Sequence, residues 1–300
     1  MRTMWASPVF KLAIVLLAVI SGALVCLWAF RDSLSLIFWR IRYWGTPRGT
    51  GTGPREIFPA AKPGGIAVKL AGISEEEWKV SHVWVPATRS VTLSSEKTII
   101  TLGCWWDNFG VVTDLPAGSN GAFTNAIKRS VGLAHAPFQI QIAFQARAAA
   151  GQLVITPPKI GARGDGYFLV LEVDGVDAGS PVRDTGQTRE SHPMFGDGDP
   201  LTIETISVST DGTAARAGDL AVAVFAMDPC DNPDIAISLP DGWTSLGAND
   251  VALQNIGYRA CCRIVTEAGR QSATCTWSDD STFVAEAMLV VFKAGLSPLP

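Results

Sequence analysis

Charge is scarce in this 300-residue sequence: Asp, Glu, Lys and Arg make up only 17% of it, against about a quarter in ordinary globular proteins. There is no excess of basic residues either. The formal net charge is −4, which excludes the concentrated cationic face that nucleic acid requires. His82, His135 and His192 lie far apart, and no GxSxG, HExxH or glycine-rich phosphate loop occurs, so no standard nucleophile, zinc-protease or nucleotide motif is present. The six cysteines include no CxxC pair and no spaced Cys/His set, which argues against a zinc site. Acidic residues are too many to nominate a glycosidase pair, which is recognised by its separation in space.

One long apolar run stands out against this background. Residues 12–30, LAIVLLAVISGALVCLWAF, carry no charge. About 20 such residues in a helix span the roughly 30 Å hydrocarbon core of a bilayer. A cleaved signal peptide would have a shorter apolar core of about 7–15 residues and a small-x-small site, where this run places Trp28 and Phe30. The segment is read as an uncleaved transmembrane anchor with the lipid bilayer as its partner. Residues 31–44, RDSLSLIFWRIRYW, follow with Arg31, Arg40 and Arg42 among Phe38, Trp39, Tyr43 and Trp44, a mixture suited to the headgroup region. Flanking arginines favour a cytoplasmic body by the positive-inside rule. The signal-anchor-like start and the β-rich body favour an exported one, periplasmic or extracellular, and that reading is adopted. Residues 45–64, dense in Gly, Pro and Thr, read as a linker.

The body repeats one order of features. Residues 98–104 (TIITLGC), a turn-rich 114–124 (DLPAGSNGAFT), 138–158 (FQIQIAFQARAAAGQLVITPP) and 166–176 (GYFLVLEVDGV) form the first copy. Residues 218–225 (GDLAVAVF), 239–247 (LPDGWTSLG), 255–278 and 283–295 (FVAEAMLVVFKAG) form the second. Gly151 and Gly269 stand at nearly the same offset as Thr98 and Asp219. Phe138, Ile140 and Ile142 alternate with polar or small residues, the period-two signature of a strand with one apolar face. Residues 138–148 and 153–156 are expected to form an antiparallel hairpin. The closing runs 167–173 and 283–292 are almost continuously apolar, as in central strands. Ala67–Leu70, His82–Val85 and Val91–Leu93 also read as strands, with Ser74–Trp78 a solvated helical turn. The expected fold is all-β: two tandem antiparallel β-sandwich or jelly-roll domains after an N-terminal transmembrane helix. The domains are an anchor with interfacial segment over 1–44, linker 45–64, first sandwich 65–180, connector 181–205 and second sandwich 206–300.

The second copy's order, GDLAVAVF, LPDGWTSLG, YRACCRIVTEAG, SATCTWS and a closing apolar strand, resembles β-sandwich repeats of uncharacterised bacterial secreted and phage-encoded proteins. The resemblance covers Ile206–Gly295 well and Thr98–Val176 more loosely, since the first copy lacks the turn tryptophan. It implies adhesive, carbohydrate-binding or virion-surface roles without a fixed ligand site.

Three candidate sites follow. Trp105, Trp106, Asp107 and Asn108 end a strand and begin a loop; an aromatic face beside a carboxylate and an amide is what glycan stacking uses. Asp197 and Asp199, in the run 190–199, offer oxygen ligands for calcium without the full EF-hand spacing; no other cofactor is implied. Trp243 and Trp277 fit core or turn packing. If the second hairpin turns over 267–270, Cys262 and Cys275 stand directly opposite each other on one sheet face, where Cβ atoms are about 4.5–5.5 Å apart, near the about 3.5–4.5 Å of a disulfide. Cys261 would then point to the other face. The expected function is membrane-anchored, non-catalytic binding or adhesion through a glycan or protein surface. The alternatives are a structural subunit of an envelope or phage-derived assembly and a jelly-roll hydrolase.

Overall fold

The computed structural model describes residues 54–60, 65–76, 89–106, 115–127, 138–157, 166–191, 203–227, 237–246, 257–277 and 284–295. All of these belong to one compact unit, Gly51–Pro300. Among them there is no helix, so none is long and apolar enough to cross a membrane. The expected anchor over 12–30 and the expected strand His82–Val85 lie outside the described residues.

The first half contains β1 (Arg55–Phe58), β2 (Ala67–Glu76), β3 (Arg89–Leu93), β4 (Lys97–Trp106), the short β5 (Ala117–Gly118), β6 (Gly121–Ala122) and β7 (Thr124–Asn125), then β8 (Phe138–Ala148), β9 (Gly151–Thr156) and β10 (Gly166–Asp174). The second half contains β11 (Val182–Ser191), β12 (Thr205–Ser209), β13 (Leu220–Met227), β14 (Thr244–Ser245), β15 (Gly257–Ile264), β16 (Ser272–Thr276) and β17 (Val284–Phe292). A large sheet of order β1-β2-β10-β4-β8-β7 is matched in the second half by β11-β17-β13-β15-β14. The smaller sheets are β3-β9-β5-β6 and β12-β16. Apart from β1, β5 and β6, each strand of one half has a counterpart at the same place in the other. The repeat read from the sequence is therefore also a repeat of topology. Gly151 opens β9 and Gly269 precedes β16, the two strands that enter the small sheets, with φ of 115° and 122°.

Alternation along the central strands distributes side chains between three cores. In β4, Ile99 faces the core against β3 and β9, while Ile100, Leu102 and Cys104 face the other way. In β13, Ala221, Ala223 and Phe225 face β12 and β16, while Leu220, Val222 and Val224 face the same central core as Ile100 and Leu102. The large sheets thus pack on each other, each with its small sheet on the opposite side, in four layers. Phe144 of β8 meets Phe292 of β17 edge-on across the central core, ring centroids 6.0 Å apart, a favoured aromatic geometry. Burial on both faces is why β13 and β17 are apolar almost without interruption.

Several expectations change. The halves are not two separate sandwiches in tandem, because strands of both share one apolar core. Residues 182–191, expected in a connector, form β11 on β17, and residues 55–58, expected in a linker, form β1 on β2. Residues 74–76 end β2 rather than starting a helical turn. The segments 138–156 and 257–276 are not hydrogen-bonded hairpins: β8 and β15 lie in large sheets and β9 and β16 in small ones. Each is an arch over the edge of a core. A period-two pattern defines an inward face, and two strands facing one core satisfy it equally well from opposite sheets.

Candidate binding surface at one pole

Strand direction gives the body two unlike ends. At one end, β10 finishes at Asp174 and β17 at Phe292, and the following residues join. Val176 bridges Ala294, Gly295 N–H donates to the Gly175 carbonyl at 2.7 Å, and Lys293 N–H donates to the Pro181 carbonyl at 2.7 Å. Lys293 also pairs with Asp177, whose carboxyl is held below its ordinary value by that partner and by the N–H groups of Gly179 and Ser180. Asp219, 1% exposed, forms an ion pair with Arg183 at 2.6 Å and accepts N–H bonds from Arg216 at 2.8 Å and Ala294 at 2.9 Å. The Asp184 carboxylate accepts from Gly212 N–H at 3.1 Å and Ala214 N–H at 3.3 Å. Tight turns and ionic brackets close this end.

The opposite end gathers the other strand termini. Glu76, Trp106, Phe138 and Gly166 mark it in the first large sheet. Ser191, Met227, Gly257 and Val284 mark it in the second. Because β10 and β17 end side by side at the closed pole, both sheets point their opposite ends the same way. The connections 77–88, 107–116, 126–137, 157–165, 192–204, 228–243, 246–256 and 277–283 all depart from or return to this end. Long connections of a β-sandwich gathered at one end are the usual place for recognition, since the sheets hold them while their sequence varies freely.

One row beneath that end, β11, β17, β13 and β15 align Arg189, Glu286, Ala226 and Tyr258. Arg189 and Glu286 pair at 3.6 Å with Glu286 only 3% exposed, and Tyr258 is buried. Polar groups taken from water in this way need partners, and the ion pair supplies them on the central-core side. On the other face of β15, burial lowers the Arg259 guanidinium from its usual value. Arg263 lies 4.7 Å over the Trp243 ring and donates to Gln271 at 2.8 Å. Trp243 and Trp277 are both core side chains, as expected.

Trp105 and Trp106 occupy the last two positions of β4, the strand between β10 and β8, opposite Gln139 and Phe138. They end a strand at the pole of long connections; Asp107, Asn108, Asp197 and Asp199 lie outside the described residues. Among the described residues no three His, Cys, Asp or Glu side chains gather as a metal set. The convergence of both repeats on one pole was missed in the sequence. Its signal was there, in the short turns at 94–96 and 149–150 alternating with longer connections.

All four described cysteines are buried, and Cys261, Cys262 and Cys275 are free thiols. Cys262 faces the central core and Cys275 the core of the second half, so the expected Cys262–Cys275 pairing does not occur. β15 and β16 lie in different sheets, which reverses the face that meets β16 and puts Cys261, not Cys262, in the core with Cys275. Burial pushes the Cys262 thiol up to about 12, Cys275 to about 11 and Cys261 well above its usual range. A thiol held protonated is a poor nucleophile, so Cys261 and Cys262 act as small apolar groups, while Cys275 donates its S–H to the Ser238 carbonyl at 3.2 Å.

No protein-family model matches the chain, and no curated protein matches it. Among solved structures it is similar to a beta-porphyranase of glycoside hydrolase family 86 from the human gut bacterium Bacteroides plebeius, with a TM-score of 0.26 and 14% identity over 83% of this chain. The match spans 38% of that enzyme's length. A likeness of this size fixes neither fold nor activity for this chain.

Proposed function

We propose that the chain is a membrane-anchored, non-catalytic recognition protein whose β-body presents the pole of long connections to a glycan on a neighbouring surface. The supporting observation is the asymmetry of the two poles: one closed by turns and buried ion pairs, the other carrying the long connections of both repeats. A rigid four-layer body suits this use, because it fixes the spacing between connections before any ligand arrives. Trp105 and Trp106 end a central strand, and in this reading they are the residues that stack on the apolar faces of sugar rings. The anchor over 12–30 ties the body to a bilayer and, in this reading, the body is exported. The resemblance of the second copy to β-sandwich repeats of uncharacterised bacterial secreted and phage-encoded proteins supports this reading.

The test is a glycan array probed with the full chain in detergent micelles, alongside a Trp105→Ala/Trp106→Ala variant. Selective binding by the parent, weakened at least tenfold in the variant while the unfolding temperature is kept, supports the reading. No glycan retained above background, or equal binding by the variant, removes it. Alkaline carbonate washing checks the anchor, which requires the intact chain to stay in the membrane pellet.

A further inference from the structure

The short hairpin of the first half holds a chemically reactive pair. β5 and β6 turn through Ser119 and Asn120, and Gly121 follows. Asn120–Gly121 is the one Asn-Gly step in the sequence, and both residues are exposed. In such a step the glycine nitrogen can attack the asparagine side chain, because no Cβ stands in the way. Packing explains why glycine is there. A Cβ on Gly121 would collide with the Gln145 side chain, and one on Gly118 would stand 2.7 Å from its Oε1. Gln145, on β8 and only 3% exposed, fills the space beneath the hairpin. The glycine that this packing demands is also the one that leaves the Asn120 amide open to attack.

The same glutamine restrains the reaction. Its Nε2 donates to Asn120 Oδ1 at 2.9 Å, and Asn120 Nδ2 donates to the Ala149 carbonyl at 3.4 Å. Ser119 N–H donates to the Val154 carbonyl at 3.0 Å, and Val154 N–H donates to Ser119 Oγ at 3.0 Å. Held on both its oxygen and its nitrogen, the Asn120 amide turns onto the next backbone nitrogen only when these bonds break. β6 is an edge of its sheet, and a short exposed hairpin at an edge opens far more often than a core strand.

We propose that Asn120 is a self-modification site, converted to isoaspartate and aspartate through openings of the β5–β6 hairpin, with Gln145 setting the rate. The Gly121 nitrogen gives up its proton and bonds to the side-chain carbon of Asn120. The bond from that carbon to Nδ2 breaks, and ammonia leaves with the proton. Water then opens the five-membered imide at either carbonyl. One opening restores the ordinary main chain with an aspartate side chain; the other routes the main chain through the side chain as isoaspartate. Water is consumed, ammonia is released, and nothing is oxidised or reduced. Isoaspartate adds a methylene to the main chain of a turn flanked by the pairs Ala117–Ala122 and Gly118–Gly121. The aspartate product loses the donor that meets the Ala149 carbonyl. Either product loosens the hairpin and adds a negative charge. The reaction needs only water, so it stands apart from what the body binds.

The full chain in detergent micelles is incubated at neutral pH below its unfolding temperature, beside the same chain unfolded in urea. A Gln145→Met variant, which keeps the side-chain volume and removes the amide, is treated in the same way. Peptide mapping by mass spectrometry follows each asparagine, and electron-transfer fragmentation separates isoaspartate from aspartate. Asn120 is expected to react before any other asparagine, more slowly in the folded chain than in urea. Gln145→Met should speed it about fivefold, the factor that one hydrogen bond is worth. Asn125, in β7, controls for general destabilisation: a variant that merely unfolds more often speeds both sites alike, each scaled to its rate in urea. Modified chains, separated by their added negative charge, should unfold at a lower temperature than the parent. An Asn120 that stays intact while another asparagine reacts, a folded rate equal to the rate in urea, or a Gln145→Met variant that leaves Asn120 no faster relative to Asn125 overturns the proposal.

Discussion

Asp219 shows how much one side chain can hold. Its carboxylate meets the Arg183 guanidinium from β11, the Arg216 N–H of its own turn and the Ala294 N–H beyond β17. Removing it leaves a largely buried cation and two backbone donors without their acceptor, each costly out of water. Asp219→Ala is expected to lose about 3 kcal/mol of stability, read as a lower urea midpoint with an unchanged slope. A midpoint within experimental error of the parent would mean that water replaces the carboxylate without penalty. The sequence showed only an Asp after a Gly at the head of an apolar strand, a pattern that turns use everywhere.

Between elements, β11 passes close against β12 at Gly186. Gly186 lies against Ser209, and Asp211 N–H donates to the Thr185 carbonyl at 2.7 Å. A Cβ at Gly186 would overlap the Ser209 carbonyl, so backbone must move. Gly186→Ala is expected to cost about 1–3 kcal/mol or more, measured by chemical denaturation. Gly269→Ala, where a Cβ meets open space and only φ is unfavourable, should cost about 1 kcal/mol. The reverse order of these two losses would show that β11 and β12 separate easily. The repeat offset picked out Gly269 in the sequence, but nothing there marks Gly186, because the demand on it comes from a strand in another sheet.

At the scale of the molecule, the central core decides whether this is one body or two. Leu102, Ile142 and Leu171 from the first half share it with Val222, Val224 and Val290 from the second. A half produced alone would expose that whole sheet face, far beyond the few hundred Å² usual for an apolar patch on a monomer. Residues 51–180 and 181–300 expressed separately are expected to aggregate or self-associate. Expressed together, they should elute as a one-to-one complex with a single unfolding transition. Two soluble monomers, each unfolding on its own, would show instead that the sandwiches are autonomous.

The sequence by itself determined the all-β class, the repeat and the central position of β10 and β17. Each of these rests on local pattern: period-two alternation, turn residues at matching offsets, and uninterrupted apolar runs that only a doubly covered strand tolerates. Only the tertiary structure decided which strands share a sheet. Alternation in 257–264 and 272–276 marks an inward face but not the side of the core each strand occupies, so a hairpin and an arch read alike. That ambiguity is why Cys262 looked like the partner of Cys275, although it is Cys261 that shares the core of Cys275. The stacking of the two halves was equally hidden, since an apolar outer face on each large sheet reads the same whether its cover is another chain, a ligand or the chain's own second copy. The gathering of long connections at one pole then follows from strand direction in a stacked pair, which no single segment carries.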